Sequence, residues 1–296
     1  FERISDVGVR VRKRVINILY DCLQASPNFR HRNEALRSLA FRILDDDLGI
    51  QELVVRIFRE LWFSQLPMPR ETAENSINPI TERAEQLVEV LWEVYTGVSR
   101  TGLARLPLLP TFPIVAILRQ VVFSNDDENL HPVSTTVEHR SGFKANENVS
   151  MARRLCKAIL DGMLEKEECD IEDCDPLPTA KNNIGERNNG FGPSYFPRAV
   201  RYALGLHVFC ATDPQLCVMD ENPLAFATAL QPYIKRHENT TSNALQLQCC
   251  ISVLDAVVKE VGCLSLASAI EMEKDLRFLL LRNTFHGVLY YAVRCI

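Results

Sequence analysis

The sequence predicts an all-α, curved solenoid of stacked antiparallel helix pairs, and three observations lead there. Apolar residues recur at three- and four-residue steps along most of the 296-residue chain, and no stretch shows convincing strand alternation. Prolines gather between those periodic stretches, as Pro27, Pro67, Pro69, Pro79, Pro107, Pro110, Pro113, Pro176, Pro178, Pro193 and Pro214 do; in a helix interior each would cost about 3 kcal/mol. The chain also exceeds the usual size of a single core, and a lone helix pair cannot bury its apolar face, so pairs must stack.

The elements follow in order. Val11, Val15, Ile18, Leu19 and Cys22 form a first apolar stripe, Leu36, Leu39, Ala40 and Ile43 a second, and Leu53, Ile57, Phe58, Leu61 and Trp62 a third. Further helices are expected over 80–97, 114–123, 148–168, 196–211, 223–235, 243–261, 265–282 and 284–296. Past Pro232 no proline remains, so that stretch reads as three consecutive helices. Residues 1–296 are read as one continuous repeat array, a section of a longer protein, with long loops near 64–79, 98–113, 124–147 and 169–195. Long loops in a solenoid usually decorate one face.

Composition narrows the classes. Hydrophobic residues make up 47% and charged residues 24%, ordinary for a folded soluble protein. The longest apolar runs, such as Phe278 to Leu281, fall far short of the roughly 20 residues a membrane helix needs. Ten cysteines occur without Cys-x-x-Cys spacing and mostly on apolar helix faces, which fits free thiols in a reducing compartment. The net charge of −5 is uneven: residues 1–44 carry nine Lys/Arg against four Asp/Glu, whereas residues 61–197 carry thirteen against twenty. A basic end keeps nucleic acid open as a partner. The acidic run from Glu165 to Asp175 reads as a solvated helix end entering a loop.

No catalytic or metal site is legible, and no cofactor is expected. A phosphate loop, a His-Glu-x-x-His pair and a Gly-x-Ser-x-Gly elbow are all absent from the sequence. Gly190 and Gly192 begin a glycine-rich run that Tyr195 ends. His207, on a stripe with Ala203 and Cys210, reads as a packed side chain, so the chain is expected to be no enzyme.

The most informative segment runs from Asp6 to Val15. An Asp six residues before an Arg, with a valine directly ahead of that Arg, is the turn-and-second-helix pattern of HEAT repeats. Asp6 would accept orphan N–H groups at the helix start, and Arg12 would reach an Asp of the neighbouring repeat, making a ladder of charge-assisted hydrogen bonds. Arg10, Lys13, Arg14 and Asn17 then share the opposite face through their three- and four-residue spacing. With Arg30, Arg32 and Arg37 on the next helix, they are candidates for holding a phosphate backbone; a merely solvated face is the alternative.

The run VRVRKRVINIL (Val9 to Leu19) followed by PNF (Pro27 to Phe29) resembles the HEAT region of cohesin loaders of the Nipped-B or adherin family. So do DDDLGIQELVVRIFRELWF (Asp45 to Phe63), FCATDPQL (Phe209 to Leu216) and ATALQPYI (Ala227 to Ile234), in the same order. The resemblance implies a hook-shaped nuclear, chromatin-associated scaffold that binds double-stranded DNA, kleisin and the SMC ATPase heads of cohesin, and promotes cohesin loading and its ATPase. It also implies a smaller loader subunit held by a part of the protein outside this chain, and no membrane. Carried over, Arg10, Lys13, Arg14, Asn17, Arg30 and Arg32 are the expected DNA contacts; Asp45, Asp46, Asp47, Arg198 and Arg201 are the expected partner contacts. The competing expectation is a protein-binding HEAT scaffold of the nuclear transport receptor or phosphatase type.

Overall fold

The computed structural model describes residues 2–26, 29–64, 78–99, 112–123, 141–172, 198–219, 222–235, 241–262 and 265–296. Among them every regular element is helical: α1 (Val9–Ala25), α2 (Arg32–Phe41), α3 (Leu48–Phe58), α4 (Pro79–Ser99), α5 (Phe112–Phe123), α6 (Ser141–Glu172), α7 (Arg198–Thr212), α8 (Ala225–Ile234), α9 (Thr241–Val261), α10 (Leu266–Arg282) and α11 (His286–Cys295). No helix among these residues is long and apolar enough to cross a membrane.

Local chemistry sets the boundaries. Asp47 caps α3 by accepting from the Ile50 N–H at 3.0 Å, and Ser265 caps α10 by accepting from Ser268 N–H at 3.1 Å. Gly262 ends α9 at φ +65°, the left-handed position a helix stop favours glycine for. Pro79 and Pro113 sit in the first turns of α4 and α5 rather than between helices, because the first turn has no intrahelical N–H bond for proline to remove. The long loops expected near 64–79, 98–113, 124–147 and 169–195 lie largely outside the described residues; where described, their edges belong to α4, α5 and α6.

Packing follows an alternating order. Helices α1, α3, α5, α7, α9 and α11 touch in succession to form one row. In the other row α2 packs on α4, α4 on α6, and α8 on α10, with an interruption between α6 and α8. The rows face each other through pairs such as α1 with α2, α5 with α6, α8 with α9 and α10 with α11. This is a HEAT-like α-solenoid. Its apolar cluster runs from Ile4 to Ala292. After α3 a π-helical turn, Arg59–Phe63, swings Trp62 fully inside, its ring centroid 4.5 Å from that of Phe58.

The second and third stripes face the core, but the first is rotated. In α1 the buried side chains are Arg12, Ile16, Leu19 and Leu23, whereas Val11 and Ile18 are 40% and 51% exposed. Hydrophobic spacing alone cannot see that a guanidinium sits on the packed side. Because Arg12 is drawn inward by carboxylates, the helix turns and carries Val11 and Ile18 to the surface.

Candidate nucleic-acid interface

Arg12 organises the N-terminal end. Its Nη1 donates to the carbonyls of Asp6 (3.0 Å) and Val7 (3.1 Å), closing the turn ahead of its own helix. Its Nη2 donates to Asp45 at 2.8 Å and Asp46 at 2.7 Å, in the turn that leads into α3. The Asp45 side chain is 2% exposed, and Arg42 approaches it at 3.4 Å. Burial alone would push the Asp45 carboxyl up; hydrogen bonds from the Asp47 N–H and from Arg12 hold it below the ordinary carboxylate value. Asp6 does not cap α1 directly. It accepts from the Gly8 N–H at 2.9 Å, while Gly8 itself, with no side chain, occupies the cap position.

The basic residues of α1 divide around this pair. Arg10, Arg14 and Asn17 are exposed on one face, and neither arginine forms a hydrogen bond or ion pair among the described residues. Lys13 is only half exposed and lies 3.0 Å from Asp47, whose carboxyl it holds below the usual range. The exposed Asp21 follows farther along the same face, which limits the basic strip to the first half of the helix.

Arg30 and Arg32 do not join that strip. They follow the far end of α1, and 1.5 Å of rise per residue sets Ala25 about 16 Å beyond Arg14. Arg30 is exposed beside a 410 Å³ hollow that Phe29, His31 and Glu93 also line. Arg32 is partly buried; its Nη1 donates to the Leu23 carbonyl at 3.1 Å, and burial lowers its pKa. Its work is to tie α2 to the end of α1.

The expected partner contacts separate likewise. Asp45 is an internal counter-ion, and Asp47 is at once a helix cap and the partner of Lys13; only Asp46, with 88% of its side chain exposed, offers an outward carboxylate. Arg201 is engaged by both oxygens of Glu89 at 2.8 Å and lies 5.5 Å from the centroid of the Trp92 ring. Arg198, at the start of α7, is exposed. His207 is buried with Nδ1 2.6 Å from the Ser252 hydroxyl, and burial lowers its pKa from 6.5 to about 4. Among the described residues no group of His, Cys, Asp and Glu is placed to hold a metal ion.

Two features escape sequence reasoning. Ion pairs join successive layers elsewhere, as Arg294 of α11 does with Asp255 of α9 at 3.3 Å and Lys235 with Glu271 of α10. Asp255 interrupts the apolar run of α9, which is the signal that could have flagged it. The cluster Arg153, Arg154 and Lys157 on α6 is the second, visible only as a short basic run inside a helical period.

Over its whole length the chain is 24% identical to Nipped-B-like protein B of Danio rerio, and 24% identical to the Nipped-B-like protein of Homo sapiens. A shorter stretch, 21% of the chain, is 44% identical to the Nipped-B protein of Drosophila melanogaster. The chain is a homologue of the Nipped-B proteins. It spans about 8% of the length of the Nipped-B-like proteins that match it throughout. No family model matches the chain.

Proposed function

We propose that the chain is a DNA-contacting HEAT section of a cohesin loader, acting in the nucleus on chromatin. Such a scaffold binds double-stranded DNA, kleisin and SMC heads, and promotes cohesin loading and ATP hydrolysis by its partner; its smaller loader subunit is held elsewhere in the full-length protein. The observation that carries the DNA part is the pair Arg10 and Arg14, exposed one turn apart with Asn17, while Lys13 and Arg12 on the same helix are held by Asp47, Asp45 and Asp46. Guanidinium groups spared from internal pairing are the ones that can release counterions from a phosphate backbone. Asp46 and Arg198 are the residues that remain for protein contacts.

Anisotropy of a labelled duplex, titrated over roughly 50–200 mM salt, tests the reading. The double reversal Arg10→Glu/Arg14→Glu is expected to weaken binding to all sequences alike and to flatten the salt slope by about one unit per lost phosphate contact. Unchanged affinity and slope would remove α1 from the interface. In the full-length protein the same change is expected to reduce stimulation of the cohesin ATPase.

A further inference from the structure

We propose that Lys13 is a DNA contact held in reserve: in the free chain its ammonium is parked over Gly49 against Asp47, and when that slot is closed it turns outward to take a phosphate beside Arg10. The inference rests on the DNA reading of α1 and names a contact that the fold itself withholds. Position comes first. Lys13 lies three residues after Arg10 and four before Asn17, so it borders the face those two residues share. Its side chain is 40% exposed, and its Nζ reaches across to the start of α3, 3.0 Å from Asp47. A Cβ built on Gly49 would stand 2.6 Å from that Nζ and 3.4 Å from the Cε behind it. The missing side chain at position 49 is therefore what makes room for the lysine. Arg12 already engages Asp45 and Asp46, so Asp47 is the carboxylate of this acidic turn left for Lys13.

The two cations that face α3 differ in how firmly they are held. Arg12 is buried and donates to two backbone carbonyls and two carboxylates, so it cannot leave without stranding its partners. An ion pair between partly exposed side chains, as Lys13 and Asp47 are, gains little over water and is screened by salt. Lysine carries its charge as a compact ammonium on a flexible four-carbon stem. The group can therefore swing off Asp47 and outward with no change in the backbone. Each added cation releases counterions from a phosphate backbone.

Two substitutions empty the slot by different means. Gly49→Ala displaces the Nζ and changes no charge; position 49 is in the first turn of α3, where alanine is favoured over glycine. Asp47 Oδ1, 3.2 Å from the new Cβ, has to give by only a few tenths of an ångström. Asp47→Asn removes the carboxylate but keeps the cap, since asparagine caps a helix as well as aspartate does.

Two readouts on the intact chain test the proposal. Without DNA, acylation of Lys13 by limiting acetic anhydride, mapped by mass spectrometry against the exposed Lys274, is expected to be several-fold faster in both variants. In the salt titration of duplex binding, both are expected to bind about threefold or more tighter at the low-salt end and to steepen the slope by about one unit, as one added phosphate contact does. Thermal melts by circular dichroism are expected to match the parent. Lys13→Gln is expected to abolish the gain from Gly49→Ala while leaving the parent's affinity nearly unchanged. Unchanged acylation of Lys13 in both variants, or a gain from Gly49→Ala that survives Lys13→Gln, would overturn the proposal. So would a loss on Lys13→Gln as large in the parent as in Gly49→Ala, because the lysine would then already be on the DNA. If Arg10→Glu/Arg14→Glu leaves binding unchanged, the α1 reading falls and the DNA role of Lys13 with it. If that reversal weakens binding but both slot variants bind as the parent does, the α1 reading stands and the reserve contact alone is wrong.

Discussion

A guanidinium removed from water must find its counter-charges within the fold, and Arg12 finds two backbone carbonyls and two carboxylates. The two carboxylates are not equivalent. Removing a partner from a buried pair leaves an uncompensated charge, at a cost of about 3–5 kcal/mol, while an exposed pair is worth no more than about 1 kcal/mol. Asp45→Ala is therefore expected to lower the unfolding free energy by about 3 kcal/mol, the low end of that range because Asp46 stays, and Asp46→Ala by less than about 1 kcal/mol; urea denaturation measures both. The pH sign follows from the lowered Asp45 pKa: the stabilisation is present above the ordinary carboxylate value of 3.8 and is lost as pH falls through the depressed native value. Asp45→Asn should flatten that acid limb, and an unaltered limb would mean that the Asp45 carboxyl titrates alike in the folded and unfolded states. This residue-level logic is partly legible in the sequence. The Asp6 and Arg12 spacing points to an inter-repeat pairing, yet which of Asp45, Asp46 and Asp47 is buried depends on a turn geometry that spacing does not encode.

At the scale of single elements, most helix spans are legible to within two or three residues because proline and periodicity act locally, whereas α6, expected over 148–168, runs from Ser141 to Glu172. The expected span 265–282 becomes Leu266–Arg282, and 114–123 becomes Phe112–Phe123. Rotation about the axis is less legible, since α1 buries an arginine where a valine stripe is expected to pack. Close approach of helices is less legible still. Gly162 in α6 faces the Tyr202 ring of α7, and a Cβ built on it would collide with that ring. Tyr202 is itself buried, so the ring has little room to move. Alanine is favoured over glycine in a helix by about 1 kcal/mol, but overpacking a well-filled interface costs about 1–3 kcal/mol. We expect Gly162→Ala to destabilise on balance, with a lower thermal midpoint. A raised midpoint would show that α6 and α7 can separate slightly without loss.

In a stack where each layer touches mainly its neighbours, stability is a sum of local terms, and damage at one end need not reach the other. The contacts here are of that kind: α1 meets α2 and α3, while α9 meets α7, α8 and α11, with no helix spanning both ends. The overall architecture is legible for the same reason, because each pair declares its own apolar faces; the interruption between α6 and α8 is not, since it depends on how two non-consecutive helices meet. Hydrogen exchange separates a modular stack from a single cooperative core. Asp45→Ala is expected to raise exchange through α1 and the start of α3, where Arg12 loses its buried partner, and to leave the amides of α9, α10 and α11 at their parent rates. If protection instead fell uniformly from α1 to α11, the apolar cluster from Ile4 to Ala292 would be acting as one cooperative unit, and the local charge pairs would be stabilising the whole array rather than single joints.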